Sequence, residues 1–256
     1  MSAAGPPRGA RPPQGERREA PQGGAQPSAA APPQGAALDG ELAESLDAGL
    51  AALSLPLSGE ARRALLDYLA LLAKWNRTYN LTAIREPARM VTHHLLDSLA
   101  VLDTLDRLVG SRSNPCILDV GSGAGLPGVP IAIARPSWDV AMLDPVHKKI
   151  AFVTQVIADL RLRNARAIAH RVEDYRPSQP AQVAISRALC DLASFAESSA
   201  RHVGDDGVLL AMKGVHPDEE LRELPPAFEV LSTVSLEVPG VEAARHLIVM
   251  RRRRAA

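Results

Sequence analysis

Between Asp119 and Pro130 the chain reads D-V-G-S-G-A-G-L-P-G-V-P, with four glycines and two prolines in twelve residues. An apolar run, Cys116–Leu118, leads into it, and another, Ile131–Ala134, leaves it. Glycines permit positive φ and close approach of a ligand to the main chain. A loop that opens a helix also presents N–H groups with no intrahelical partner. Gly123 and Gly128 have the spacing of a phosphate-binding P-loop, but Val129 and Pro130 stand where its Lys and Ser/Thr belong. Gly121 and Gly123 begin a dinucleotide fingerprint, but Leu126 takes the place of its third glycine. What stands is G-x-G-x-G: Gly121, Gly123 and Gly125. A tight turn that holds nothing is the plain alternative.

Other side chains extend the pattern. Asp144 lies about 20 residues beyond the loop, where a carboxylate can accept both hydroxyls of a ribose; it could equally cap the helix that begins after Pro145. In Val172-Glu173-Asp174-Tyr175, Glu173 stands where an adenine amino group would lie, or is an ordinary surface acid. Arg187 ends an apolar run, where a guanidinium could hold a carboxylate or a phosphate or form a surface salt bridge. His93 and His94 resemble a metal pair, but adjacent helical residues point in different directions and no third ligand has suitable spacing, so no metal is expected. Asp97, three residues beyond His94, is expected to pair with it.

These residues need a scaffold, and the pattern supplies one. From Cys116 onward short apolar runs alternate with helical stretches: strands at 117–120, 140–143, 167–169, 183–185 and 208–212, helices at 127–134, 147–160 and 192–202. That alternation predicts an α/β fold, a mostly parallel open sheet wrapped by helices. Phe228–Val238 and His246–Met250 have no long helix between them and suit an antiparallel pair at the sheet edge. In such folds ligands sit at the carboxyl ends of the strands, near the switch in strand order. Upstream, Leu42, Leu46, Leu50 and Leu53 mark one helix, and Ser58 is a plausible N-cap for a second carrying Leu65, Leu66, Leu69 and Leu72. A third is expected over Pro87–Leu108. The organisation read from this is a Pro/Gly/Ala-rich tail at 1–37, a helical unit at 38–110 and an α/β domain at 111–252.

The tail has eight prolines and six glycines and no Val, Leu, Ile or aromatic residue, so it is expected to be disordered. Hydrophobic residues are 46% of the 256 and aromatics 3%, so aliphatic side chains must build the core. Formal net charge is +0, which weakly disfavours nucleic acid but can hide a basic face. No apolar run reaches the ~20 residues of a membrane span, and the N-terminus has no apolar signal core. The two cysteines, Cys116 and Cys190, have no C-x-x-C partner. The expectation is a cytoplasmic, monomeric protein.

G-x-G-x-G resembles the first motif of Rossmann-like class I methyltransferases, and the chain from about 40 to 251 resembles the RsmG (GidB) family of small-subunit ribosomal RNA guanine-N7 methyltransferases. The resemblance rests on seven pieces in order: K-W-N-R-T-Y-N-L-T (Lys74–Thr82), H-L-L-D-S (His94–Ser98), the glycine loop with Leu126, Pro127 and Gly128, R-V-E-D (Arg171–Asp174), I-S-R-A (Ile185–Ala188), M-K-G (Met212–Gly214) and R-H-L (Arg245–Leu247). It implies S-adenosyl-L-methionine as cofactor, held by Gly121, Leu126, Val172, Glu173 and Arg187, beside Gly123, Gly125 and Asp144 from the spacing. The first 37 residues and Arg251–Arg254 lie outside the family pattern.

The chemistry agrees. Guanine N7 carries a lone pair and no proton, so positioning and dehydration should supply most of the rate, and no catalytic acid or base is expected. Exocyclic amine methyltransferases commonly carry N/D-P-P-Y/F after the fourth strand, where this chain has I-S-R-A. Cytosine-C5 enzymes need a cysteine nucleophile; Cys190 lacks the Pro-Cys context and reads as a small hydrophobe. For 16S ribosomal RNA or the 30S particle, Lys74, Asn76, Tyr79, Asn80, Lys213 and Arg245 are the candidate contacts. Trp75 and Tyr79 could stack on an unpaired base, or Trp75 simply ends the apolar helix face with Tyr79 behind it. Lys148, Lys149, His216 and Arg251–Arg254 could complete a basic rim, or be solvated charges.

Overall fold

The computed structural model describes residues 34–187 and 190–253, with Met1 and Gly5, and for 34–38 the backbone alone. The expected disorder of residues 1–37 therefore falls largely outside the described residues, as does Arg254. By its contacts the chain divides after Pro33, and the architecture below belongs to the unit from Gln34 onward.

Seven strands form one sheet: β1 Cys116–Val120, β2 Asp139–Leu143, β3 Ala165–Ile168, β4 Ala181–Arg187, β5 Val203–Lys213, β6 Phe228–Ser235 and β7 His246–Arg252. Their order is β3-β2-β1-β4-β5-β7-β6. The first five run parallel, with Val120 opposite Leu143 and Asp119 opposite Ile185. β7 is antiparallel to β5, and β6 to β7, so the expected antiparallel edge is present. Strand order reverses at β1 and β4, and a crevice opens there beyond the carboxyl ends of the strands. Successive side chains of a strand face opposite sides. Ile117 therefore packs with the N-terminal helices, and Leu118 and Val120 with the layer on the other face.

The helices are α1 Gln34–Ala52, α2 Gly59–Tyr79, α3 Pro87–Met90, α4 Asp97–Leu99, α5 Leu102–Val109, α6 Gly128–Ala134, α7 His147–Asp159, α8 Leu192–Ser199 and α9 Asp218–Arg222. Ser58 caps α2, its hydroxyl accepting the Ala61 N–H at 3.1 Å. The buried stripe of α2 is Leu65, Tyr68, Leu69, Leu72 and Asn76. It ends at Asn80, whose left-handed backbone (φ 49°) stops the helix. α6 is buried on every side, as its sequence G-V-P-I-A-I-A requires.

Local differences from the sequence reading have physical causes. The helix expected over Pro87–Leu108 is interrupted by a π-helical turn at Val91–Leu96 and by a break around Ala100. β5 starts at Val203, not Val208, because Val203 pairs with Ala181 although the segment between is polar. β3 lies at Ala165–Ile168, and β6 ends at Ser235. The β6–β7 register shifts between Val230 and Ser232.

Candidate active site

The loop between β1 and α6 gets its shape from its glycines. Gly121, Gly123 and Gly125 have φ of 70°, 59° and 85°, all in the left-handed region. A Cβ on Gly125 would stand 2.5 Å from Val129 Cγ2, so that position also lacks space for a side chain. The Gly121 and Ser122 N–H groups both donate to the Leu143 carbonyl, at 2.8 and 3.1 Å, pinning the loop to the end of β2. The Leu126–Pro127 peptide is cis.

Three side chains fix the loop from behind. Asp119 Oδ2 accepts the Gly128 N–H at 2.8 Å. Asp119 is fully buried, and that burial raises its carboxyl to about 7; the Gly128 hydrogen bond and the Arg187 charge oppose the rise. Asp144 Oδ2 accepts the Gly123 N–H at 3.0 Å, its Oδ1 accepts the Val146 N–H at 2.9 Å, and Lys149 Nζ lies 3.4 Å away. Asp144 thus holds the turn before α7 and also faces the loop. Tyr68, from α2, donates its hydroxyl to the Ala124 carbonyl at 2.8 Å. Burial pushes that phenol well above its ordinary range.

Two cavities open at the strand ends and share Gly121. One, about 300 Å³, is walled by Val120, Leu143, Pro145, Val172 and Glu173, with Cys190 at its side. Its apolar walls and flanking carboxylate suit a purine nucleoside. The Val172 carbonyl is anchored by His202 Nε2 at 2.8 Å and by Arg201 at 3.1 Å. The other, about 530 Å³, is lined by Gly123, Leu126, Asp97, Arg187, Lys213 and Arg245, among others. Together the bare loop, the apolar slot and the basic compartment fit an adenosyl group with a charged amino-acid end. A larger hollow of about 850 Å³ lies between α1 and α2 and includes no strand end.

Arg187 reaches across from β4. Its Nη1 donates to Asp97 Oδ2 at 3.1 Å and to the His93 carbonyl at 3.0 Å. Arg245 Nε donates to the other oxygen, Asp97 Oδ1, at 2.9 Å. The expected Asp97–His94 pair is therefore corrected: Asp97 serves two arginines, while His94 Nε2 bonds the Thr82 hydroxyl at 2.9 Å. Burial, and secondarily the Arg187 charge, lowers His94 to about 4.

The expected RNA contacts do not form one patch. Lys213 lines the cleft, but its ammonium is held by Glu220 at 2.7 Å and the Cys190 carbonyl at 2.8 Å. Asn76 is turned inward, donating to the Ile84 carbonyl at 3.3 Å and accepting the Thr82 N–H at 2.9 Å. Its amide shapes the 80–86 segment and shows no edge to solvent. Tyr79 is 42% exposed and packs 5.2 Å from Trp75, which in turn meets Phe152 at 5.5 Å. Asn80 Oδ1 accepts from Arg85. Lys74 lines the hollow between α1 and α2. Burial raises the Cys190 thiol, which disfavours a thiolate nucleophile.

Asp119, Tyr68 and the double role of Asp97 escaped the sequence reading. An acid inside an apolar strand is a signal for the first, and a tyrosine on a leucine face for the second. Asp97 gives no local signal, because its partners lie 90 and 148 residues away.

Comparison with known proteins fits this geometry. Residues 61–248 match the family described as rRNA small subunit methyltransferase G, GidB. The ribosomal RNA small subunit methyltransferase G of Laribacter hongkongensis is 45% identical over 81% of this chain and 97% of its own. The Bordetella petrii protein of the same name is 46% identical over 94% of this chain and 96% of its own, a match that extends into the proline-rich stretch. A glycopeptide N-methyltransferase complexed with (S)-adenosyl-L-homocysteine shares the fold, with TM-score 0.50 at 12% identity over 61% of this chain and 87% of that one. With a match over most of its length, the chain belongs to the rRNA small subunit methyltransferase G (GidB) family.

Proposed function

We propose that this protein transfers a methyl group from S-adenosyl-L-methionine to N7 of a guanine in 16S ribosomal RNA. Membership of the family carries the reading, and the positive-φ loop backed by Asp144 supports it. When bound, the cofactor supplies an activated methyl group on a cationic sulfonium. Gly121, Gly123, Gly125 and Leu126 cradle it, Asp144 faces its ribose, Val172 and Glu173 meet its adenine, and Arg187 takes its carboxylate. The rest of the task is alignment: N7 presents its own lone pair, so no side chain has a proton to remove. The apolar slot and the buried loop exclude water from the reacting atoms.

Tyr79, Asn80, Lys213 and Arg245, with Lys74 at a more distant position, belong to the surface that meets RNA, as naked RNA or as the 30S particle; Asn76 supports that surface from inside by holding the 80–86 segment. The protein works as a cytoplasmic monomer, with helices to about residue 110 forming one wall of the cleft and the α/β domain the other. No helix among the described residues is long and apolar enough to cross a membrane.

The test is incubation with labelled donor and unmethylated small-subunit RNA, followed by mass mapping. Label recovered as 7-methylguanosine at one position is expected; label on another atom, or none, refutes the reading. Glu173→Ala should weaken donor binding, and unchanged affinity would show the adenine pocket to be misplaced.

A further inference from the structure

The 530 Å³ cavity has an uneven charge composition. Four cationic side chains, Lys149, Arg187, Lys213 and Arg245, line it, and Asp97 is the one carboxylate among its described lining residues. Lys149 and Lys213 each have a carboxylate partner, Asp144 and Glu220, outside that lining. The two arginines share Asp97, whose side chain is 6% exposed, with one guanidinium on each oxygen. The carboxylate comes from α4, within the N-terminal helical layer, whereas Arg187 ends β4 and Arg245 precedes β7. Three remote parts of the chain therefore meet at one buried charge.

That arrangement poses an electrostatic problem under the function proposed above. The donor carries a sulfonium cation, and the spent product is a neutral thioether. The carboxylate that Arg187 takes is common to both ligands, so the difference lies at sulfur: two guanidinium groups lining the same compartment repel the sulfonium and leave the thioether sulfur unaffected. An enzyme so built would hold its product better than its substrate unless the arginine field were compensated nearby. A buried carboxylate is effective in that position, because solvent screens it little.

We infer that Asp97 is a specificity-determining positioning residue: it aims Arg187 and Arg245 into the cleft and offsets their charge, so that the cationic donor is favoured over the neutral spent cofactor. The inference rests on the proposed cofactor reading. It adds to that reading a residue from the helical layer and a ligand preference assigned to it.

The experiment is calorimetric titration of the full chain with S-adenosyl-L-methionine and with S-adenosyl-L-homocysteine. One elementary charge at a distance of about 10 Å, in a protein-like dielectric, changes the binding of a cation on the order of tenfold. Asp97→Asn should weaken the sulfonium ligand by roughly that factor and the thioether by less than about threefold. A purely structural role would weaken both alike, and that outcome, or no change in either, overturns the inference. If Asp97→Asn does not fold, Arg245→Gln decides. Removing one cation should shift preference toward the sulfonium ligand, and a shift the other way, or none, overturns it. Failure of the wild-type chain to bind either ligand would instead sink the cofactor reading itself.

Discussion

Replacing Tyr68 by Phe isolates one hydrogen bond between the helical layer and the glycine loop. The ring stays, with its neighbour Phe152 at 6.3 Å, so no cavity forms. What goes is the hydroxyl that donates to the Ala124 carbonyl at 2.8 Å. Both residues are buried, Tyr68 at 0% and Ala124 at 4% exposure, so water does not readily replace the lost donor. A buried acceptor that loses its partner costs about 1–3 kcal/mol. For a domain of this size that is a fall in Tm of roughly 2–12 °C. Because the acceptor belongs to the loop, part of the loss should appear as looser cofactor binding, on the order of two- to tenfold by the same energy scale. Urea unfolding gives the first quantity and calorimetric titration with S-adenosyl-L-methionine the second. Stability within about 0.3 kcal/mol of wild type together with unchanged affinity would refute the reasoning. The bond would then not matter to the loop.

The raised Asp119 carboxyl has a defined pH signature. The folded state binds a proton at about 7 and the unfolded chain near the ordinary aspartate value, so this group's contribution to stability declines as pH rises from about 4 to 7. Asp119→Asn should remove that decline in unfolding free energy measured across the window, and an unaltered profile would contradict the assignment. His94 works in the opposite direction. It is held neutral to about 4, so stability is lost as pH falls from 6.5 toward 4, and His94→Gln should reduce that acid sensitivity in the same measurement. Asn76→Ala removes the two bonds that this amide makes to Thr82 and Ile84 of the 80–86 segment and should cost about 1–3 kcal/mol. It should raise the KM for RNA while the cofactor affinity stays within about twofold; the reverse pattern would move Asn76 to the cofactor side.

The parallel sheet was legible because its strands are short apolar runs separated by helical spacing, and the shape of the glycine loop because Gly121, Gly123 and Gly125 stand where the backbone takes positive φ. Asp144 was legible by its distance from the loop, since a βα unit has a nearly fixed length. Of the uses offered for it, the capping of the turn before α7 is visible in its bond to the Val146 N–H, and its other oxygen reaches Gly123 of the loop. The π-helical turn at Val91–Leu96 was not legible, because its apolar spacing continues the surrounding helical pattern. The inward turn of Asn76 was not legible for a related reason: a polar residue near a helix end can face water or bridge a following loop, and only the path of that loop decides. The arginine pair on Asp97 depends on the strand order, which brings β4 and β7 to the same end of the sheet. Such contacts follow from topology and not from spacing.

The irregular register of β6 bears on how the protein behaves in a crowded cell. A regular outer strand exposes a row of free amide and carbonyl groups that another chain can extend into a fibril. Here the shift between Val230 and Ser232 disrupts the row where Leu231 is 43% exposed. Glu229 and Arg251 bring opposite charges to the same margin. The far margin, β3, spans only four residues. Neither border of the sheet offers a long flat template, so the protein is guarded against self-association through stacked strands at both ends.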